Sequence, residues 1–404
     1  ILSLFSEFSE DEMCQLYVHD TFPDKKRCHC YYRITDHDVV RNLAGKTTHH
    51  ELLEYEIDDG VLSSQQRTSV KSNNRYLKLL IRDFVWIVSP WKNAVYKWVE
   101  KEKPDCIFSD TGDSCFLYDI SLHLSKKYSL PIISAFGDDY YAINAKSTEV
   151  VHKMQLFFLR KKIKEFVNMC DKVITINDLF AQYYRTQFQL SEDKVITLAN
   201  GSNFQFSEQS IKDYKTGEIQ FSYLGNLSLG RGDNLLDIGR ALEKYNQKNG
   251  TAHSLNIYAK ASGEFLKKCE GKASIHYNGF VTGDDFLCAI NSADVLIHTE
   301  SFSEENIAQT RLSLSTKIAD SLNSGKCLLA YGPPKIASMR HLVENNCAFV
   351  IDSPAKLEER MGEILRHHEL RSEYSARAKR TALQYHDSKI NSGRLRQMYM
   401  DLIR

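Results

Sequence analysis

Short apolar runs punctuate the chain, and most are followed by a helix-length segment with apolar residues every three to four positions. That alternation predicts strands joined by amphipathic helices, the pattern of an α/β protein with parallel sheets. In the first half the expected strands are Gln15–Val18, His29–Ile34, Cys106–Ser109, Pro131–Ser134, Val173–Ile176 and Val195–Leu198. In the second they are Ile219–Leu224, Leu255–Tyr258, Ser274–Tyr277, Val295–His298, Cys327–Ala330 and Ala348–Ile351. That is too many for one ordinary doubly wound sheet, and the polar stretch Asn200-Gly201-Ser202-Asn203 falls between the two sets, where a hinge is expected. The organisation read from this is two Rossmann-like domains, 1–200 and 201–387, with a final helix over 388–404 packing back toward the first. Ile1 to Phe8 reads as an amphipathic helix, so a first strand is expected ahead of Ile1. Open α/β sheets bind ligands at the carboxyl ends of their strands, so two facing sheets would form one interdomain cleft.

Composition narrows the function. The 404 residues carry 52 Lys+Arg against 52 Asp+Glu, a net charge of 0, which disfavours nucleic-acid binding. No apolar run approaches the ~20 residues of a spanning helix. The 10 cysteines are scattered along the chain with no secretory signal ahead of them, which points to a cytoplasmic protein. Cys28 and Cys30 lack the second ligand pair of a zinc site and read as core thiols, so no metal is expected.

The segment Phe221-Ser-Tyr-Leu-Gly225-Asn226-Leu-Ser-Leu-Gly230-Arg231-Gly232 is a strand that breaks into a glycine-rich turn and then starts a helix. Glycines at 225, 230 and 232 let backbone approach an anion, and the N–H groups of a helix start attract one, so the turn is a phosphate-cradle candidate. It matches neither G-x-G-x-x-G nor a P-loop. A tight turn with a solvated arginine fits equally well. Farther on, Ser315 or Thr316 is positioned to cap a helix ending at Gly325, on which Lys317 and Asp320 share one face. Taken singly, that pair reads as a surface ion pair.

Together, these features resemble the carboxyl-terminal domain of retaining GT-B glycosyltransferases, in particular glycosyltransferase family 4. The resemblance runs from Asn200-Gly201-Ser202 through Tyr223-Leu224-Gly225, Asn278-Gly279-Phe280-Val281, Ala293-Asp294-Val295 and Ser315-Thr316-Lys317 to Asp320-Ser321-Leu322 and Ser324-Gly325-Lys326. It implies that Arg231 and Lys317 hold the diphosphate of a nucleotide-sugar donor and that Asp320 binds its ribose. Gly225, Asn226, Gly230, Gly232, Ser315 and Thr316 would complete the phosphate side, and Tyr258, Phe280 and Val281 the base side. The family often pairs two glutamates eight positions apart, but Leu312 stands where the first belongs. Glu300, Glu304 and Glu305 are candidates for a displaced carboxylate, each with a solvated acidic loop as its plainer reading.

Acceptor-side candidates lie in two loops of the first half, Ser109 to Ser114 with Gly112 and Asp113, and Phe136 to Tyr141 with Asp138 and Asp139. Asx-rich turns fit them nearly as well. Val150 to Val167 predicts an amphipathic helix with Leu156, Phe157, Ile163 and Phe166 against Lys153, Arg160, Lys161 and Lys164. It reads first as a core helix and second as a peripheral contact with the inner membrane face.

The resemblance implies transfer of a sugar, with retention and without metal or other cofactor, from a UDP-sugar or related donor. The acceptor hydroxyl would be saccharide, lipid-linked or protein-linked, in polysaccharide or glycoconjugate synthesis, and oriented by Asp138 or Asp139. Two further readings fit the same residues: a sugar-nucleotide epimerase of this fold, and a catalytically silent partner subunit.

Overall fold

The computed structural model describes residues 2–18, 27–46, 50–51, 75–110, 112–142, 149–202, 204, 206 and 217–403. The chain divides into two compact units. The N-terminal unit comprises Phe5–Ile174, Tyr184–Ile196 and Ser392–Arg404; the C-terminal unit comprises Ile1–Leu4, Thr175–Tyr183 and Thr197–Asn391.

In the first half β1 (Cys14–Tyr17), β2 (Cys30–Arg33) and the short β3 (His50–Glu51) form one sheet. Strands β1 and β2 run parallel, and β3, which the sequence pattern does not announce, pairs antiparallel with β2. A second sheet has the order β4 (Ile107–Asp110), β5 (Ile132–Phe136), β6 (Lys172–Thr175) and β7 (Val195–Thr197). The helices are α1 (Asp36–Leu43), α2 (Arg75–Val88), α3 (Lys92–Glu102), α4 (Cys115–Tyr128), α5 (Val150–Met169) and α6 (Asp178–Phe188).

Trp86, Trp91, Trp98 and Phe116 build the core beside the first sheet, with the Trp86 and Phe116 rings stacked at 4.3 Å. The buried carboxylate of Asp83 on α2 accepts the Phe116 N–H at 3.1 Å, so one helix caps the start of another. Burial pushes that carboxyl up; the backbone N–H groups of Phe116 and Cys115 oppose the shift.

The C-terminal unit is organised on six strands: β8 (Gln220–Leu224), β9 (Ser254–Tyr258), β10 (Ile275–Gly279), β11 (Val295–Thr299), β12 (Cys327–Tyr331) and β13 (Phe349–Ile351). Their spatial order is β10-β9-β8-β11-β12-β13, and every pairing is parallel. Renumbered from one, that is 3-2-1-4-5-6, the dinucleotide-fold order whose direction reverses between the first and fourth strands. The switch point therefore lies between β8 and β11. Strands β11 and β12 are buried along their whole length, which explains their unbroken apolar runs.

The remaining helices are α7 (Arg231–Asn249), α8 (Gly263–Cys269), α9 (Gly283–Ser292), α10 (Glu304–Thr310), α11 (Thr316–Asn323), α12 (Ala337–Glu344), α13 (Leu357–Arg366), α14 (His368–Tyr385) and α15 (Ser388–Leu402).

All the expected strands form, with ends displaced by no more than two residues. The expected helix over Ile1 to Phe8 does not: only a 3-10 turn, Leu2–Phe5, is present. A second turn competes for the chain there. The Ser9 N–H donates to the Glu12 carboxylate at 2.9 Å, and Arg396 on α15 holds the same carboxylate.

The anticipated hinge is stitched within its own unit. His386 Nδ1 lies 2.9 Å from the Asn200 carbonyl, and the Ser388 hydroxyl donates to the Ser202 carbonyl at 2.9 Å. Asn203 lies outside the described residues. No described helix is long and apolar enough to cross a membrane.

Candidate active site

Both sides of the β8/β11 switch point carry polar side chains. After Leu224 the chain turns through Gly225 to Gly230 into α7. The Tyr223 hydroxyl donates to the Asn226 carbonyl at 2.6 Å, and Asn226 Oδ1 accepts from the Ser228 N–H and hydroxyl at 3.0 and 2.6 Å. Leu229 and Gly230 are both left-handed, at φ 56° and 76°. A Cβ on Gly230 would stand 2.6 Å from Ser301 Oγ and 2.9 Å from Asn306 Nδ2, so only glycine fits there.

The expectation of free backbone donors in this turn meets a correction. The Gly225 N–H donates to the Tyr258 carbonyl, Arg231 to Ser228, Gly232 to Leu227, and Ser228 to Asn226. Closing so tight a turn uses those four groups, and cationic side chains beside it offer a further means of holding an anion.

Arg231, the first residue of α7, directs Nη2 to both oxygens of Glu300, at 3.1 and 2.9 Å. Glu300 follows β11 directly and is 2% exposed. Asn234 Nδ2 donates to its carbonyl at 2.8 Å, and its own N–H donates to Tyr331. A Cβ on Gly332 would lie 2.9 Å from the Glu300 carbonyl, so the β12 end also closes on this residue.

Burial pushes the Glu300 carboxyl above its ordinary range, while Arg231 and Ser338 pull the other way. His298, on the strand below, is pushed down to about 3 by burial and then by Arg231, so its ring is neutral. The solvated-loop reading fails for Glu300. It holds for Glu304 and Glu305, which are exposed on α10, Glu304 pairing with Lys335 at 2.6 Å. The stretch after Ser301 is not simply a loop, since Ser303 caps α10.

Helix α11 leads into the amino end of β12, so its first turn stands at the carboxyl edge of the sheet, the same edge as Arg231. Lys317 is half-buried there, and Thr316 is exposed. Ser315 occupies the N-cap position, but its side chain makes no capping hydrogen bond, contrary to expectation. Asp320 Oδ1 accepts from the Ser202 hydroxyl at 2.9 Å. The nearby cation Lys326 is 2% exposed and donates to the Asn291 carbonyl at 2.9 Å, a structural role. Leu312 is a core residue, 3% exposed.

On the other side of β8, Phe280 follows β10 with its ring 54% exposed, and Lys260 Nζ stands 5.0 Å above it. Val281 and Tyr258 are half-buried beside the same edge. Lys260 was not anticipated; its signal was its place two residues past Tyr258, at the end of the neighbouring strand.

In the N-terminal unit Asp139 closes an Asx turn. Asp139 Oδ1 accepts the Tyr141 and Ala142 N–H groups at 3.1 Å each, while Asp138 is exposed. Asp113 pairs with Arg75 at 3.2 Å, and the Gly112 carbonyl accepts the Tyr118 hydroxyl at 2.7 Å. The structure thus gives Asp139 a local turn-closing task.

Helix α5 is only half a core helix. Leu156, Leu159, Ile163 and Phe166 are buried, but Val150, Met154, Phe157 and Phe158 are exposed. Tyr141, Leu156, Phe157 and four cations, Lys153, Arg160, Lys161 and Lys164, line a pocket of about 450 Å³.

Residues 240–397 match the family model described as glycosyl transferase-like. That stretch contains Lys317 and Asp320 and begins after Arg231. No curated protein matches the chain. Among solved structures, a glycosyltransferase from Rickettsia africae is 11% identical with a TM-score of 0.58, covering 98% of this chain and 99% of its own. Sucrose-phosphate synthase from Thermosynechococcus elongatus is 10% identical, TM-score 0.56, over 81% and 79%. Anabaena HepE, solved with UDP and glucose, is 14% identical, TM-score 0.53, over 76% and 80%. At these identities the likeness establishes the fold: the chain has the GT-B architecture of two Rossmann-like domains.

Proposed function

We propose that the protein is a glycosyltransferase that moves a sugar, with retention of configuration, from a nucleotide diphosphate sugar to an acceptor hydroxyl. The observation that carries this reading is Arg231, held by a buried carboxylate at the switch point of a parallel sheet, where such folds bind nucleotides. Glu300 acts as a positioning residue. It fixes Nη2 of the guanidinium while Nη1 stands 3.4 Å from Asn226 Oδ1, and so holds Arg231 beside the place of the donor diphosphate, which Lys317 grips from the first turn of α11. Asp320 serves the ribose, and the exposed Phe280 ring with Lys260 forms a stacking platform for the base.

In the reaction the acceptor oxygen bonds to the anomeric carbon as the bond to the diphosphate breaks. The acceptor proton passes to the departing phosphate oxygen. The cations stabilise the charge that gathers on that leaving group. No side-chain base is required on this route, which suits the turn-closing role of Asp139. Glu300 also weakens the reading of a silent subunit, since the site retains a buried carboxylate. Incubation with a panel of UDP-sugars tests the proposal: nucleoside diphosphate should be released faster when a saccharide or lipid-linked acceptor is added. Conversion of the UDP-sugar to its epimer without release would contradict it.

The acceptor is proposed to be met at an anionic membrane surface. On α2, Leu77, Ile81, Phe84 and Val88 form an exposed apolar stripe, and α2 packs beside α5 with the Tyr76 and His152 rings stacked at 3.6 Å. The stripe, the exposed apolar residues of α5 and its basic pocket together make a monotopic contact surface. Each basic residue contributes about 1 kcal/mol at such a surface. Lys161→Ala with Lys164→Ala should therefore weaken sedimentation with phosphatidylglycerol vesicles about 30-fold. Equal binding to neutral vesicles would exclude the electrostatic part.

A further inference from the structure

Away from the switch point, the N-terminal unit gathers a second group of chemistry-bearing side chains from three separate segments. Cys14 and Cys30 are register partners on the parallel strands β1 and β2, so their side chains leave the same face. Glu102, the last residue of α3, brings its carboxylate to the Cys30 thiol. His29, just before β2, places Nε2 2.8 Å from Glu102 Oε2. The ligating atoms of His29, Cys30 and Glu102 all lie within 4.8 Å of one another. The backbone of His29 is anchored, since its N–H is shared by the Glu10 and Met13 carbonyls at 3.0 and 3.1 Å.

We propose that this cluster is a structural zinc site, with His29, Cys30 and Glu102 as ligands and Cys14 closing the tetrahedron after a side-chain rotation. The donor set decides the metal. Two sulfurs, an imidazole nitrogen and a carboxylate oxygen suit borderline-soft Zn²⁺, whereas magnesium and calcium take oxygen ligands. Four protein ligands leave no open position, which makes the site structural and not catalytic.

Binding releases both thiol protons to solvent, and two thiolates with one carboxylate leave a single negative charge on the zinc complex. Lys101 Nζ, 3.1 Å from the other Glu102 oxygen and 2.7 Å from Glu51, offsets part of it. His29, with 38% of its side chain exposed, provides the entry path. The ion would tie both strands of the small sheet to the end of α3. Cys30 is buried in the core, as its core-thiol reading has it, and the sequence pattern could not bring Cys14 and Glu102 to it because they are far away in sequence. Cys28 is not a ligand: its thiol is not among the atoms that gather at this point. This site is independent of the transferase reading.

The test uses the untagged full chain purified under reducing conditions without chelator. Elemental analysis should find about one zinc per chain. Titration of the zinc-stripped protein with Co²⁺ should produce a thiolate-to-cobalt charge-transfer band, and zinc should raise Tm. Cys14→Ser should diminish the band and Cys30→Ser should diminish it further, while Cys28→Ser keeps it. If the serine variants do not fold, His29→Ala, at a partly exposed position, should still weaken cobalt binding. Folded wild-type protein with neither bound zinc nor a cobalt band would overturn the proposal, as would a band undiminished in Cys30→Ser. A Cys14–Cys30 disulfide in peptide maps of protein isolated under non-reducing conditions would equally overturn it.

Discussion

Arg231→Ala should destabilise the C-terminal unit by about 3–5 kcal/mol, because Glu300 is left as an uncompensated buried carboxylate. The two residues pair across a chain separation of 69 positions, with side chains only 15% and 3% exposed. Removing one partner is therefore far more damaging than removing both. Glu300→Leu combined with Arg231→Ala should recover most of the lost stability, since an apolar replacement of a whole buried pair is often neutral. Sugar transfer should respond differently. Losing one preorganised donor to the departing diphosphate typically lowers the rate by about 10²–10³, and the double variant should stay as slow as the single one. Denaturant melts beside turnover for the three proteins separate the two effects. Restored activity in the double variant would show that Arg231 serves the fold alone.

Acidification should also destabilise this unit, through buried imidazoles. His298 is pushed down to about 3, first by burial and then by Arg231; His341 is likewise pushed down to about 3, by burial and then by His386. His386 itself is lowered by burial, and its Nε2 lies 3.1 Å from that of His341. A lowered imidazole stays neutral in the folded chain while the unfolded chain takes up protons below about 6.5, so stability falls as pH falls. Between about pH 7.5 and about pH 5, His298 alone should account for about 2 kcal/mol. Glu300 works in the opposite direction, because a raised carboxyl binds its proton earlier in the folded chain than in the unfolded one. Comparing the pH dependence of unfolding for wild type and His298→Gln isolates the imidazole: the variant should show a shallower loss. An identical slope would contradict the assignment.

The strands were legible because each parallel strand is a short apolar run bounded by turns, and burial on both faces leaves no polar interruption to blur it. The glycine at 230 and the helix carrying Lys317 and Asp320 were legible for the same local reason. Glu300 could not be singled out from Glu304 and Glu305, because what distinguishes it is an arginine from another strand end. Lys260 and the Cys14–Glu102 proximity were hidden in the same way, each depending on strand order. The exposed half of α5 was misjudged because periodicity marks an apolar face without saying what covers it. Where local pattern and tertiary pairing compete, as at Ile1 to Phe8, the local reading lost to the Glu12–Arg396 contact.

The most direct test of the account is calorimetric titration of UDP and the other nucleoside diphosphates into the folded protein, repeated with Arg231→Ala/Glu300→Leu and with Lys317→Ala. The account predicts that at least one diphosphate binds the wild-type chain, that the corresponding nucleoside binds far more weakly, and that both variants lose most of the difference. Binding of no nucleoside diphosphate by the folded wild type, or equal binding by all three proteins, would contradict it.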